Sequence, residues 1–132
     1  ITGLQGEDLL DDRILIRPNE WRPLKTESSE RSIPIHSRLK PLGLKLRQKS
    51  GFLWPGQYQS SNKRWGINLS KPCRKIVGIT PKGFRDRVAT VLRSQRMNEA
   101  VVVSLLGHTP NSISMAYGAV PWSELKRAVK LL

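Results

Sequence analysis

The hydrophobic period of this chain changes once, near residue 36, and that change limits what it can fold into. Before it the pattern alternates. Ile14 and Ile16 point one way and Leu15 the other, which predicts a strand over Arg13–Arg17. Pro18-Asn19-Glu20 reads as a turn, Trp21–Lys25 as a returning strand, and Arg31–Ile35 as a third strand after the polar turn Glu27-Ser28-Ser29-Glu30. Pro34 has no amide to donate, so the third strand is short or lies at an edge. Residues 1–35 are expected to form a small antiparallel meander.

Residues 36–132 follow a helical period. His36–Ser50 carries Leu39, Leu42 and Leu46 at steps of three and four, with Lys and Arg between them. Gly51–Ser61 is a loop holding Phe52-Leu53-Trp54. Asn62–Val77 is expected to be helical, but Pro72 either kinks it or makes it start late with Ser70 as cap. Thr80-Pro81 is a cap followed by proline at the first helical position, and Phe84, Val88, Val91 and Leu92 form the buried stripe of the helix it opens. Asn98 caps the next helix and Gly107 stops it. Thr109-Pro110 opens a short helix to about Ala116. Pro121–Leu132 is a last amphipathic helix with Trp122, Leu125, Val129 and Leu132 on one side. The expected fold class is mainly α with a small antiparallel β-sheet, an α+β domain. At 132 residues the chain fits one domain with its own core.

Composition narrows the function. The chain is 38% hydrophobic and 25% charged, which is globular rather than disordered. Its longest apolar run, Ala100–Val103, is far below the roughly 20 residues that span a bilayer. No signal peptide is visible, and a single cysteine, Cys73, excludes an internal disulfide and a Cys-rich zinc site. The net charge is +13 and unevenly spread. Residues 1–30 hold seven of the ten acids, whereas residues 31–132 carry 19 basic and 3 acidic residues, a net +16. Such an excess selects a polyanion, most often nucleic acid. No basic amphipathic helix with a strong apolar face stands out to favour a membrane surface.

Motifs for dinucleotide, P-loop, zinc-protease and serine-hydrolase chemistry are absent from the sequence. The acids cluster away from both histidines, so a metal-dependent nuclease is not expected. Chemistry on a phosphodiester would then depend on fixed cationic groups. Lys82 and Arg85 lie three apart in the first turn of the Thr80-capped helix, where free backbone N–H groups also favour phosphate. Leu105-Leu106-Gly107-His108 places a histidine directly after a helix stop, and Tyr117 follows nine residues later.

These elements together resemble the catalytic domain of the tyrosine recombinases, the phage integrase family. The family signature is (His or Lys)-x-x-Arg, then Leu-Leu-Gly-His, then a tyrosine nine residues after that histidine. Here it reads Lys82-Gly83-Phe84-Arg85, then His108, then Tyr117. Leu24-Lys25-Thr26 followed by Arg31-Ser32-Ile33-Pro34-Ile35 is similar to the family's β-hairpin, and Gly3–Leu9 to the segment that leads into it. The resemblance covers nearly the whole chain, in order.

It implies a role for each residue. Tyr117 would attack the scissile phosphate to give a 3′-phosphotyrosyl link and a free 5′-hydroxyl. Arg85 would hold the non-bridging oxygens, and His108 would hydrogen-bond the phosphate. Lys25 would protonate the departing 5′-oxygen, and Lys82 would assist proton transfer or contact phosphate. It further implies no metal and no cofactor, a double-stranded DNA recombination site as substrate, and a homotetramer on that DNA in the full-length protein. Membrane partners and small-molecule substrates are not implied. The setting would be the cytoplasm and nucleoid of a bacterial host, in integration or excision of a mobile element.

Two departures qualify it. The family uses two arginines, and one alignment puts the first a few residues upstream of Ile1, with Glu7-Asp8 as the acidic pair before the first strand. The other reads Gly3-Leu4-Gln5 as the arginine motif, with Gln5 in the arginine's place. The chain also begins at Ile1 without methionine, so a clipped catalytic domain, inactive or nearly so by itself, is the expectation. The alternative is a DNA-binding remnant that cannot cleave. The second departure is Asp86, where the family usually has His; an acid there could orient or partly neutralise Arg85.

Each residue also has an ordinary reading: Tyr117 packed or at the surface, His108 a helix-end residue, Arg85 and Lys82 solvated, and Lys25 in competition with Arg22 and Arg31. Trp54, Trp65 and Trp122 are most simply packing residues. The basic stretches Lys40–Lys49 and Lys63–Lys75 are expected to grip phosphates. Affinity for duplex DNA, titrated across salt, should then fall steeply, by about 0.9 in log K per decade of salt for each phosphate neutralised. A flat response would refute the phosphate-binding face.

Overall fold

Ile14 and Ile33 meet across an antiparallel pair, and this pairing organises the first third of the molecule. Strand β1 (Arg13–Ile16) runs against β2 (Arg31–Pro34), with Ile14 opposite Ile33 and Ile16 opposite Arg31. The structure is a computed structural model that describes residues 3–42, 50–59, 64–108 and 119–132. The expected meander is a two-stranded hairpin. Trp21–Lys25 is not a strand, because the return closes at once in a single bridge between Asn19 and Arg22. The Asn19 side chain accepts the Trp21 amide at 3.1 Å, and Pro23 supplies no amide to extend a ladder. β2 therefore pairs directly with β1.

Asp8 fastens the segment before β1. Its carboxylate is fully buried and accepts from the Gln5 amide at 3.0 Å, Arg17 Nε at 2.7 Å and Arg22 Nη2 at 3.5 Å. The acidic pair Glu7-Asp8 thus tethers the N-terminal turn to the end of β1 and to the loop beyond it. Leu4, Leu9, Ile16 and Leu53 close over this side, with Ile33 and Trp54 packed against them.

A second short hairpin, β3 (Tyr58–Gln59) with β4 (Arg64–Trp65), occupies part of the expected loop and the start of the expected Asn62–Val77 helix. That helix does start late, as α1 (Ser70–Val77), with Pro72 in its first turn, where a missing amide costs nothing. Ser70 is its first residue rather than its cap; Leu69 holds the cap position without a side-chain bond. Of the predicted His36–Ser50 helix, a 3₁₀ turn at Ser37–Leu39 and helical residues 40–42 are described. Leu39 and Leu42 are exposed there and belong to neither core cluster, and Leu46 lies outside the described residues. Their spacing put them on one face, but nothing in it supplied a surface to cover that face. The predicted helix from Thr109 to Ala116 and the side chain of Trp65 also fall outside the described set.

The main core joins three helices: α2 (Pro81–Ser94), α3 (Glu99–Leu106) and α4 (Trp122–Lys130). Ala89 and Leu92 of α2 meet Val101, Val102, Leu105 and Leu106 of α3 and Leu125, Ala128 and Val129 of α4. Val88 is half-buried at its edge, while Phe84, expected in the stripe, is exposed in the first turn. Leu132, expected on the buried side of the last helix, is exposed beyond its end. Ile33 packs against this core as well as the first, so β2 lies between the two.

Helix α4 docks on its own domain, against α3 and β2. Trp122 Nε1 donates to Asp12 Oδ2 at 3.1 Å, the Arg13 guanidinium stacks 4.3 Å from the Trp122 ring, and Lys126 Nζ lies 3.7 Å from Asp12. Among the described residues no helix is long and apolar enough to cross a membrane.

Two tests follow from this packing. Leu92→Ala leaves a cavity at a fully buried site and should lower the unfolding free energy by about 2–5 kcal/mol in denaturant titration. The Arg13 hydrogen bond first, then Trp122 and the neighbouring cations, pull the Asp12 pKa down to about 2. A carboxyl depressed on folding stabilises above its unfolded pKa, and that contribution is lost as pH falls through the folded value. Asp12→Asn should therefore melt below the unsubstituted protein at pH 7, and the gap should close between about pH 4 and pH 2.

Candidate functional site

Two sequence-local devices aim the candidate residues. The Thr80 side chain accepts the Gly83 amide at 3.2 Å, which fixes the first turn of α2 and with it Lys82 and Arg85. At the other device, Asn98 caps α3 by accepting the Ala100 amide at 2.9 Å, and Gly107 ends the helix with φ +63°. That left-handed residue lets the His108 amide return to the Val103 carbonyl at 3.1 Å. The reversal carries His108 back toward α2, where Arg85 Nε donates to His108 Nε2 at 3.3 Å. An imidazole that accepts at Nε2 carries its proton on Nδ1. Residues 23 apart in sequence thus form one exposed pair.

Arg85 stands at a cleft of about 440 Å³ whose lining is otherwise largely apolar, with Phe84, Val88, Leu106 and Val129 among its walls. The other charged wall is Arg31, a residue that sequence reasoning placed in the hairpin motif only as a competitor of Lys25. Its Nε donates to the Leu105 carbonyl at 3.0 Å and its Nη1 to the Ser29 carbonyl at 2.6 Å. Burial first, then the charge of Arg85, lowers the Arg31 pKa. The strand period held the signal, since Arg31 shares a face with Ile33, two residues on, and Ile33 is an inward residue.

Neither guanidinium meets a carboxylate among the described residues. All three acids of the basic block are engaged elsewhere: Asp86 with Lys82 at 2.8 Å, Glu99 with Arg93, and Glu124 with Arg127 at 3.4 Å. The Arg93 hydrogen bonds hold the Glu99 carboxyl below the usual carboxylate range. Asp86 therefore turns away from Arg85, its sequence neighbour, and pairs one helical turn back. Two cations facing one cleft without a counter-charge favour an anion there.

Among the described residues, Lys82 and Lys25 make no hydrogen bond to this pair. Lys82 is committed to Asp86 on the exposed side of α2. Lys25 is exposed, in the bend before the Glu27–Ser29 turn, and no hydrogen bond joins it to Arg85 or His108 among the described residues. Tyr117 lies outside the described residues. No cluster of His, Cys, Asp or Glu that could hold a metal ion occurs among the described residues.

In comparisons with known proteins, no family model, no curated protein and no solved structure matches the chain.

The Lys82–Asp86 pair is exposed and one turn apart, so Lys82→Ala should change stability by no more than about 0.5 kcal/mol in denaturant titration. A larger loss would mean that Lys82 holds the helix rather than serving a ligand.

Proposed function

We propose that this chain is the catalytic domain of a tyrosine site-specific recombinase of the phage integrase type, with that family's fold. The observation that carries the reading is the Arg85–His108 hydrogen bond, which joins the two motif residues, with Arg85 at a cleft whose lining includes no carboxylate. The sequence places Tyr117 nine residues beyond His108.

In this reading, double-stranded DNA supplies the anion. Arg85 contacts the non-bridging oxygens of the scissile phosphate and offsets the charge that builds in the pentavalent transition state. His108 donates the ring N–H that the Arg85 bond leaves free to a phosphate oxygen. The Tyr117 oxygen forms a bond to phosphorus as the bond to the 5′-oxygen breaks. A phenol with a pKa of about 10 must give up its proton as it attacks, here to solvent, from which Lys25 regains the proton it donates. Lys25 delivers a proton to the departing 5′-oxygen, and Lys82 is freed from Asp86 by phosphate contact. One phosphodiester replaces another, so a new 5′-hydroxyl can reverse the step on a different strand. Rejoining on a new partner is recombination. Lys40, Lys71, Arg74 and Lys75, all exposed, extend the phosphate-binding surface along the duplex.

The test is incubation of the protein, with any residues its gene encodes upstream of Ile1, with a nicked suicide substrate of its recombination site. A covalent protein–DNA adduct is expected on a denaturing gel, and Tyr117→Phe should abolish it. Adduct that persists in Tyr117→Phe refutes the nucleophile. Duplex binding with no adduct in either protein identifies a DNA-binding remnant instead.

A further inference from the structure

Arg31 is the least expected charge in the molecule. It is half-buried on a short strand, beside a second guanidinium, with no carboxylate partner among the described residues. Such a placement is unfavourable unless the surrounding carbonyls offset it. Two do, and they come from different parts of the chain. Ser29 precedes β2, while Leu105 is in the last turn of α3, 74 residues away from Arg31. The Leu105 carbonyl lies among the last four of the helix, which have no intrahelical amide to accept from. A cation at this end is also favoured by the helix dipole.

We propose that Arg31 is a positioning residue for the Arg85–His108 pair: its guanidinium ties β2 to the C-terminal end of α3 and fixes the turn that carries His108. Three features make the tie stiff. Arg31 is opposite Ile16 in the hairpin and shares a face with Ile33, which packs into both cores. Its two bonds use separate nitrogens of one planar group, a fork that lysine cannot reproduce. Gly107, the residue before His108, lies directly against the guanidinium, so a Cβ there would collide with Arg31 Nη1. The catalytic consequence rests on the recombination reading; the anchoring of His108 does not.

The test reads His108 by its imidazole ¹⁵N spectrum in the 132-residue protein, and DNA cleavage and affinity in the protein with any residues its gene encodes upstream of Ile1. In the unsubstituted protein Nε2 should show the unprotonated signature that accepting from Arg85 requires. Arg31→Ala and Arg31→Lys should both lose that single tautomer. Both should cut cleavage by about 100-fold, the effect of misplacing a reacting group by about 1 Å. Duplex affinity should stay within about twofold. A lower melting temperature with the tautomer unchanged overturns the proposal, because Arg31 is then a stabilising residue only. Arg31→Lys that keeps tautomer and cleavage overturns it too, since charge and not the fork would matter. Should both variants fail to fold, hydrogen exchange in the unsubstituted protein decides: the Arg31 Nε–H should exchange much more slowly than that of exposed Arg87, and equal rates refute the tie. A protein that never cleaves DNA defeats the recombination reading, while the tautomer still judges Arg31.

Discussion

Ile33 makes one domain out of two cores. Its side chain packs against Leu4, Leu9, Ile16 and Leu53 on the hairpin side and against the α2–α3–α4 cluster on the other. A β1–β2 hairpin alone has too little apolar surface to stay folded in water. The helices lend it that surface, and the hairpin in turn gives them a fixed wall. From the N-terminal third, Ile16 of β1 and Arg31 and Ile33 of β2 reach the cleft, so a strand of four residues brings a charge to it.

Charge distribution follows from the same architecture. Three of the N-terminal acids are paired: Asp8 with Arg17 and Arg22, Glu7 with Arg17, and Asp12 with Arg13 and, across the fold, Lys126. In the basic block each acid has a helical or near-helical neighbour as its partner. Pairing in that block therefore absorbs the negative charge within six residues of where it arises. The cleft keeps its positive charge because Arg31 and Arg85 come to it from distant segments, neither paired with a carboxylate among the described residues. Arg85 is exposed enough to meet a large ligand, whereas Arg31 is shielded and already bonded.

Legibility from sequence tracked the range of the determining contact. The caps at Thr80 and Asn98 and the stop at Gly107 are chemistry between residues at most a few positions apart, and each was readable. The pairing of Arg85 with His108 could be anticipated from motif resemblance, though not its hydrogen bond. What failed depended on distant partners or on competition between turns. Trp21–Lys25 alternates well enough for a strand, yet the Asn19 side chain closes the turn early. Leu39 and Leu42 have helical spacing but are exposed, with no core cluster against them among the described residues. The β3–β4 hairpin is two residues per strand, too short to leave a period. Arg31 was missed because a basic residue on a basic chain carries no signal until the face of its strand is known.

Gly107 answers to two demands that have separate origins. Its φ of +63° asks for glycine or, less well, asparagine, and the Arg31 guanidinium leaves no room for any side chain. Sequence drift at this position is therefore doubly barred. Relaxing one demand does not free the site, because a shorter residue at 31 would still leave the backbone left-handed. A change of backbone would still meet the arginine. Position 31 can change with Gly107 in place, but position 107 can take a side chain only once residue 31 is shorter and the turn is rebuilt. In a set of descendants of this chain the glycine should therefore outlast the arginine, although 76 residues of sequence separate them.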